Sequence, residues 1–350
     1  MKNNKQPFIS FIIPSRNEKK YIKRCIEAVL MNNYPQNKIE ILVSDGFSED
    51  GTREIVEEFS KKYNFIKLLN NKKKILASAW NRGIENSKGD IIIIANAHAE
   101  IEKDHFKKCI SYMSKYKADC VGPVLITHPQ DTSAIGKTIA TMMSHPFGVG
   151  NSKFRIGVNK PTFVDSVHLG AYKKNVFKKI RYNEELVRSQ DIEMHGRLHR
   201  AGFSMLLVPD IKVHYFTRSD PKGFFKFGFL NGYWITIPWA FGASMAKIRH
   251  LIPMIFVWSI TIPIFVSFFL PNFYYVSFFI ITLYFSLSLL ISLHKAFQTK
   301  KIFYLFIMPI IFLIYHLTYG IGSNVGFFKS LLSKRFWNFF INKILLSKKN

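Results

Sequence analysis

The sequence has no carboxylate after Asp220. All 23 Asp and Glu fall in residues 1–220, while residues 221–350 hold 13 Lys and Arg and no acid. A soluble surface mixes both signs, so the last third of the chain is not an ordinary soluble domain. Cysteine is scarce. Cys25, Cys109 and Cys120 are an odd set without CxxC spacing, which argues against a disulfide framework or a zinc knuckle and fits a reducing compartment. No GxGxxG or GxxxxGK[ST] follows any strand-like run, which counts against a dinucleotide or P-loop site. A secretory leader is not expected either. The first apolar run, residues 8–14, is short and is followed at once by Arg16 and Glu18. The net charge of +26 would suit a nucleic-acid binder. Half of that excess, however, lies in the acid-free part and forms no stripe, so no nucleic-acid partner is expected.

What the acid-free part does have is long uncharged runs at 251–270, 273–293 and 302–328. A bilayer core needs about 20 apolar residues per helix. The first two runs are separated by Pro271 and Asn272 and read as a transmembrane hairpin over 251–293. The loop after it carries Lys295, Lys300 and Lys301, which places it, and residues 1–220 with it, on the cytoplasmic side. The third run, 302–328, contains Pro309, Gly320, Gly322 and Gly326. If it spans, the basic tail 329–350 lies outside, against the positive-inside rule. A third span and a re-entrant segment broken at its glycines both stay open. Residues 221–250 mix Phe, Tyr and Trp with Lys222, Lys226, Lys247 and Arg249 and read as an interfacial amphipathic segment. The expectation is a multi-pass protein of the cytoplasmic (inner) membrane with its larger domain in the cytoplasm.

Residues 1–220 alternate short apolar runs (8–14, 39–44, 65–69, 90–95, 120–126) with amphipathic helical patterns (18–32, 51–63, 75–87, 104–116). That alternation predicts an α/β domain with a mostly parallel, Rossmann-like sheet flanked by helices. Ligands of such sheets bind at the carboxyl ends of the strands. Those ends carry Pro14-Ser15-Arg16-Asn17-Glu18, Asp45 to Thr52, and Asn96-Ala97-His98. Asn17 is a candidate helix cap there.

The blocks SFIIPSRNE and VSDGFSEDGT, the strand ending at Asn96-Ala97-His98 and the helix opening at Gln190-Asp191 together resemble the family 2 inverting glycosyltransferases of GT-A fold. Segments 145–155, 164–177, 185–202, 209–220 and 315–322 are similar to the membrane-attached, non-processive succinoglycan-type chain-elongating glucosyltransferases. The resemblance implies transfer of a hexose from a UDP-sugar, or another nucleotide-diphosphate sugar, to a polyprenyl-diphosphate-linked saccharide in exopolysaccharide biosynthesis. It implies that Pro14, Ser15 and Glu18 face the nucleotide and that Asp45 recognises the base. Asn96, Ala97 and His98 stand where the metal and diphosphate triplet belongs. Asp191 takes the place of the general base, and His214 and Arg218 match the strand-end region facing the diphosphate.

The chemistry needs a neutralised leaving diphosphate, a base for the acceptor hydroxyl and exclusion of water. Asp191 at a helix start can serve as that base, with Glu193 and Arg197 spaced to pair beside it. Asn96 departs from the aspartate usual in the triplet. An amide brings no charge, and His98, with His214 as a further ligand, favours Mn2+ over Mg2+. Three readings stay open: a histidine-assisted manganese site, charge neutralisation by Lys153, Arg155 or Arg218, and an impaired enzyme. The alternatives to the main function are a polyprenyl-phosphate sugar synthase and a nucleotide-sugar-binding scaffold.

Overall fold

A computed structural model describes residues 6–241, 247–338 and 341. The expected interfacial segment therefore lies outside the described residues at 242–246, and the basic tail does so at 339–340 and from 342 on. The chain divides into two compact units, residues 1–126 with 153–216 and residues 127–152 with 217–350.

The strands are β1 (Ile9–Ser15), β2 (Ile39–Asp45), β3 (Ile66–Asn70), β4 (Ile91–Ile94), β5 (Ala99–Ile101), β6 (Cys120–Pro129), β7 (Thr162–Phe163), β8 (Ala171–Lys173) and β9 (Met205–Thr217). Their order in one sheet is β3-β2-β1-β4-β8-β6-β9-β5, with β7 also against β9. The pairs among β3, β2, β1 and β4 are parallel. Beyond β4 the sheet turns antiparallel: β8 runs against β4 and β6, and β5 and β7 run against β9. The parallel half holds the strands legible as apolar runs, and the antiparallel half is built largely from shorter or later segments.

Strands β1 and β2 are buried at every position, as strands covered on both faces must be. Alternate residues feed two cores. Ile9, Phe11 and Ile13 pack with Ile22 and Phe106 on one face, and Ile12 packs with Leu42, Trp80 and Leu198 on the other. Helix Lys19–Leu30 turns Ile22, Cys25, Ile26 and Val29 inward, the spacing of a single helical face. Helix Leu76–Glu85 lies so close to β1 that a Cβ on Gly83 would stand 2.3 Å from Ile12 Cγ2. The register pairs Ser15 with Asp45 and Asp45 with Asn70, so three polar residues line up across the carboxyl ends of the parallel strands.

In the second unit, Ile248–Ser267, Pro271–Thr299 and Phe303–Leu331 are long and apolar enough to cross a membrane. The first two meet at the turn Pro271–Phe273. The third is one continuous helix through Gly320–Gly326, so its glycines are not breaks. They are contact surface. A Cβ on Gly322 would stand 2.0 Å from Phe229 O, and one on Gly232 would stand 1.9 Å from Tyr319 O. Gly228 and Gly232 on helix Pro221–Thr236 thus face Thr318, Tyr319 and Ser323, while Gly322 and Gly326 face Phe229, Tyr233 and Thr236, a small-residue face on each helix at GxxxG spacing that lets backbones approach. Asp220, the last acid, accepts a hydrogen bond from Gly223 N and caps this helix. Residues 127–152 belong to this unit. Ile139 and Met142 share its core with Phe224, Met308 and Phe312, and Tyr304 Oη lies 3.2 Å from Thr141 Oγ1.

Candidate active site

Asp45, at the end of β2, is fully buried, and its carboxylate is fully used. Oδ1 accepts from Ser15 Oγ at 3.0 Å and Ser48 Oγ at 2.5 Å; Oδ2 accepts from Ser48 N at 3.0 Å and Arg53 Nη1 at 2.9 Å. A carboxylate has about four lone-pair sites, so none is left for an incoming group. Arg53 also donates to Asn70 Oδ1 at 3.1 Å. The turn so braced presents Phe47, which has φ 58 and is 40% exposed, between Arg53 and Lys74 at 5.6 and 5.7 Å from its ring.

The loop after β1 is held by the same turn. Asn17 N donates to Ser48 Oγ at 2.8 Å, Glu49 N donates to Asn17 Oδ1 at 3.0 Å, and Glu18 N donates to Thr52 Oγ1 at 2.9 Å. Asn17, with φ 57, is not the cap of helix Lys19–Leu30; Glu18 occupies that position. The Lys19 N–H is satisfied by Asp50 Oδ2 at 3.0 Å, and hydrogen bonds from Thr52 and Lys19 hold the Asp50 carboxyl below its ordinary value despite the opposing effect of burial. Pro14 and Ser15 are buried at the end of β1.

After β4 the chain is pinned by Trp80 Nε1, which donates to Ala95 O at 3.3 Å. Asn96 and Ala97 are buried. His98 turns its Nδ1 toward Glu18 Oε1 at 3.3 Å and stands edge-on to Tyr215, with ring centroids 5.2 Å apart. The structure therefore brings together Glu18 and His98, which the sequence separates widely. His214 pairs in register with Glu100, and Tyr215 with Ala99. Neighbours in a strand face opposite sides, so His214 lies on the face of Glu100 and its partner Arg24, 2.8 Å away, whereas Tyr215 meets His98. Among the described residues, no group of three or more His, Cys, Asp or Glu is arranged to hold a metal ion.

Asp191 sits in the first turn of helix Gln190–Arg200, two residues past the position a cap would take, which is Ser189. Its Oδ1 accepts from Ile192 N at 2.9 Å, and its Oδ2 lies 3.5 Å from His168 Nδ1. Burial pushes the carboxyl up. The contact and charge of His168, the nearby His195 and the Ile192 N–H outweigh it, leaving the group below its ordinary value. Burial holds the His195 imidazole down at about 4, against the opposing charge of Asp191. That ring lies 2.7 Å from Tyr172 Oη and 3.1 Å from Ser166 Oγ. Glu193 and Arg197 pair through two bonds of 2.6 and 2.7 Å.

Arg155, in the short helix Lys153–Ile156, lies over the Tyr215 ring at 5.4 Å, with a buried Nη1 that has no hydrogen-bond partner among the described residues. Tyr215 thus touches His98, His168 and Arg155. Arg218 is exposed after β9, in the second unit. Arg53, His168 and Tyr215 had no signal in the sequence, because nothing in their spacing links them to Asp45, Asp191 or His98.

Residues 10–181 match the glycosyl transferase family 2 model. Over 229 residues the chain is 35% identical to the dolichyl N-acetyl-alpha-D-glucosaminyl phosphate 3-beta-D-2,3-diacetamido-2,3-dideoxy-beta-D-glucuronosyltransferase of Methanococcus voltae, covering 63% of this chain and 70% of that one. It is 29% identical to glycosyltransferase AglE of Haloferax volcanii (59% and 66% covered) and 26% identical to the succinoglycan biosynthesis protein ExoA of Rhizobium meliloti (63% and 67% covered). A crystal structure of GalNAc-T7 with UDP, GalNAc and Mn2+ shares the fold at TM-score 0.50 and 19% identity, over 62% of this chain and 45% of that one. The mixed sheet is thus of GT-A type, and the chain belongs to the family 2 glycosyltransferases.

Proposed function

We propose that this transferase moves a sugar from a nucleoside-diphosphate donor, a UDP-sugar, to a lipid-linked saccharide, with inversion at the anomeric carbon and Asp191 as the base. The observation that carries the reading is the state of Asp191. It is held as a carboxylate at the opening of a helix, in the same unit as the strand-end residues Asp45, Glu18 and His98. The acceptor oxygen bonds to the anomeric carbon, its proton passes to the Asp191 carboxylate, and the bond to the diphosphate breaks with the electron pair leaving on the diphosphate. Asp45 serves the nucleotide through the turn it braces. Phe47 offers a flat ring there, and Arg53 and Lys74 flank it as cations.

Glu18 and His98 are one carboxylate and one imidazole 3.3 Å apart. That set is too small to cage a cation alone and fits one shared with a diphosphate, to which Asn96 would add an amide oxygen. Imidazole favours Mn2+ over Mg2+. A bound divalent ion would neutralise the leaving group, and Arg155 adds a cation on the Tyr215 ring.

The lipid-linked acceptor is supported by the Methanococcus relative, whose name gives a dolichyl-linked substrate, and by the helices long enough to cross a membrane. Lys295 at the end of the second of those helices, with Lys300 and Lys301 between it and the third, favours a cytoplasmic catalytic unit at the inner membrane. The test is mass spectrometry of lipid-linked saccharides from membranes fed a panel of nucleotide sugars, with Asp191→Asn as control. A lipid-linked product that lengthens with one donor and is lost in Asp191→Asn supports the reading. An unchanged product in that variant removes Asp191 from the mechanism.

A further inference from the structure

We propose that His168 is the positioning residue for Asp191, acting with it as a histidine–carboxylate pair in which the imidazole aims the carboxylate. The proposal rests on the reading of Asp191 as the base. The geometry is specific. His168 Nδ1 stands 3.5 Å from Asp191 Oδ2. The imidazole is clamped by ring contacts on two sides, stacked on Phe154 with centroids 5.4 Å apart and an 18° interplanar angle, and edge-on to Tyr215 at 5.9 Å. A ring so packed has no freedom to turn its Nδ1 elsewhere.

Two local features accompany this placement. His168 Nε2 is buried with no hydrogen-bond partner among the described residues, and a buried polar group left unpaired is costly. The next residue, Leu169, is held at φ 53, a left-handed backbone that a branched side chain rarely adopts. That bend places the Leu169 side chain in a core cluster with Ala99, Leu125 and Val213, against which Phe154 and Tyr215 also pack, so the segment that carries His168 is fixed on both sides of the ring. The aromatic clamp also ties the pair to the rest of the site, because Tyr215 touches His98 and Arg155 as well.

The other titratable groups around Asp191 cannot substitute. His195 lies on the same helix, with its two nitrogens engaged by Tyr172 and Ser166. Tyr172 and Tyr182 feel the Asp191 charge, and both hydroxyls are buried and pushed well above their ordinary value. Asp165 acts on His195. Among the described residues, His168 alone presents a ring nitrogen to the Asp191 carboxylate.

The test uses the full-length protein in native membranes, with UDP release followed from the UDP-sugars of a panel, and compares wild type, His168→Ala, His168→Asn and Asp191→Asn. Asparagine can return an N–H close to the position of Nδ1. UDP binding serves as the fold control and is expected to be unchanged in all four. In His168→Ala, kcat falls about tenfold or more while KM for the donor holds, as for partners that orient a reacting group. The acid limb of the kcat–pH profile also moves upward, by about one pH unit, because the carboxylate has lost the group that keeps it ionised. His168→Asn recovers most of kcat. An independent readout needs no turnover: the two substitutions combine non-additively in thermal denaturation at pH 7, since the residues form one unit. An unshifted acid limb, additive stabilities, or equal losses in the Ala and Asn variants would overturn the proposal. Asp191→Asn separates the two ideas, because full turnover there sinks the base itself, whereas a dead Asp191→Asn beside an unshifted His168→Ala sinks only the pair.

Discussion

Arg53 donates through Nη1 to Asp45 Oδ2 at 2.9 Å, and with Ser15 and Ser48 it completes the coordination of a fully buried carboxylate. The acid that the resemblance assigns to base recognition is therefore the centre of a closed hydrogen-bond network joining β1, β2 and the helix that follows β2.

Removing one partner of a buried pair leaves the other charge uncompensated, which costs about 3–5 kcal/mol. Asp45→Ala is expected to lose that order of stability in chemical denaturation of the detergent-solubilised protein, together with UDP binding measured by calorimetry. A variant of wild-type stability that fails only in UDP binding would show instead that the carboxylate meets the nucleotide directly.

The two glycine faces of the second unit predict a packing defect. A Cβ at position 232 would stand 1.9 Å from Tyr319 O, a backbone atom that cannot swing away. Gly232→Val should lower the denaturation midpoint in detergent, with an overpacking cost of about 1–3 kcal/mol or more. Gly196→Ala is the control. Its Cβ meets nothing closer than 3.5 Å, and alanine in a helix interior should be neutral or stabilising by about 0.5–1 kcal/mol. Equal behaviour of the two variants would show that the helices do not rely on the close approach.

Acid sensitivity follows from buried histidines. Burial holds His105 and His195 at about 4, against an ordinary 6.5. The unfolded chain takes up these protons first, so the stability from each is fully present above about 6.5 and is lost as pH falls toward 4, at about 1.4 kcal/mol per unit. His105 is the cleaner probe. It is buried beside Phe106, its ring nitrogens have no hydrogen-bond partner among the described residues, and the effects of Asp104, which raises it, and Lys108, which lowers it, are secondary to burial. His105→Leu should lose about 2 kcal/mol less than wild type between pH 7 and pH 5. Parallel pH dependences of the two proteins would rule this out.

The Glu18–His98 pair predicts a metal-linked donor site. Mn2+ is expected to tighten UDP binding to the wild-type protein, and His98→Ala should abolish that enhancement while leaving metal-free UDP binding in place. Turnover that EDTA leaves unchanged would show that the cations of the site, with Arg155 among them, neutralise the diphosphate without a metal.

The parallel strands were legible because buried strands leave continuous apolar runs, and each predicted run became a strand within a residue or two at its start. In the antiparallel half only β6 was legible, as the run 120–126; β5, β7 and β8 are two or three residues long and too short to carry a period, and β9 alternates with polar residues over its second half. The third apolar run was legible as a helix in length and composition. Its glycines looked like breaks, and only the partner helices, with the Phe229 and Tyr233 backbone against Gly322 and Gly326 and Pro253 against Gly320, show them to be contacts. Residues 127–152 read as part of the cytoplasmic domain by position, yet their apolar side chains join the core of the second unit.

The sequence by itself determined the chemistry available to this protein. Its polar residues stand at the ends of apolar strands, an acid opens a helix, and every carboxylate lies in residues 1–220. These are local properties, set by period, propensity and charge along the chain. The tertiary structure decided how those groups are used. It spends Asp45 on Arg53, turns Glu18 toward His98 and brings His168 to Asp191. Each of these pairings depends on where separate segments pack, and no spacing along a single chain encodes that.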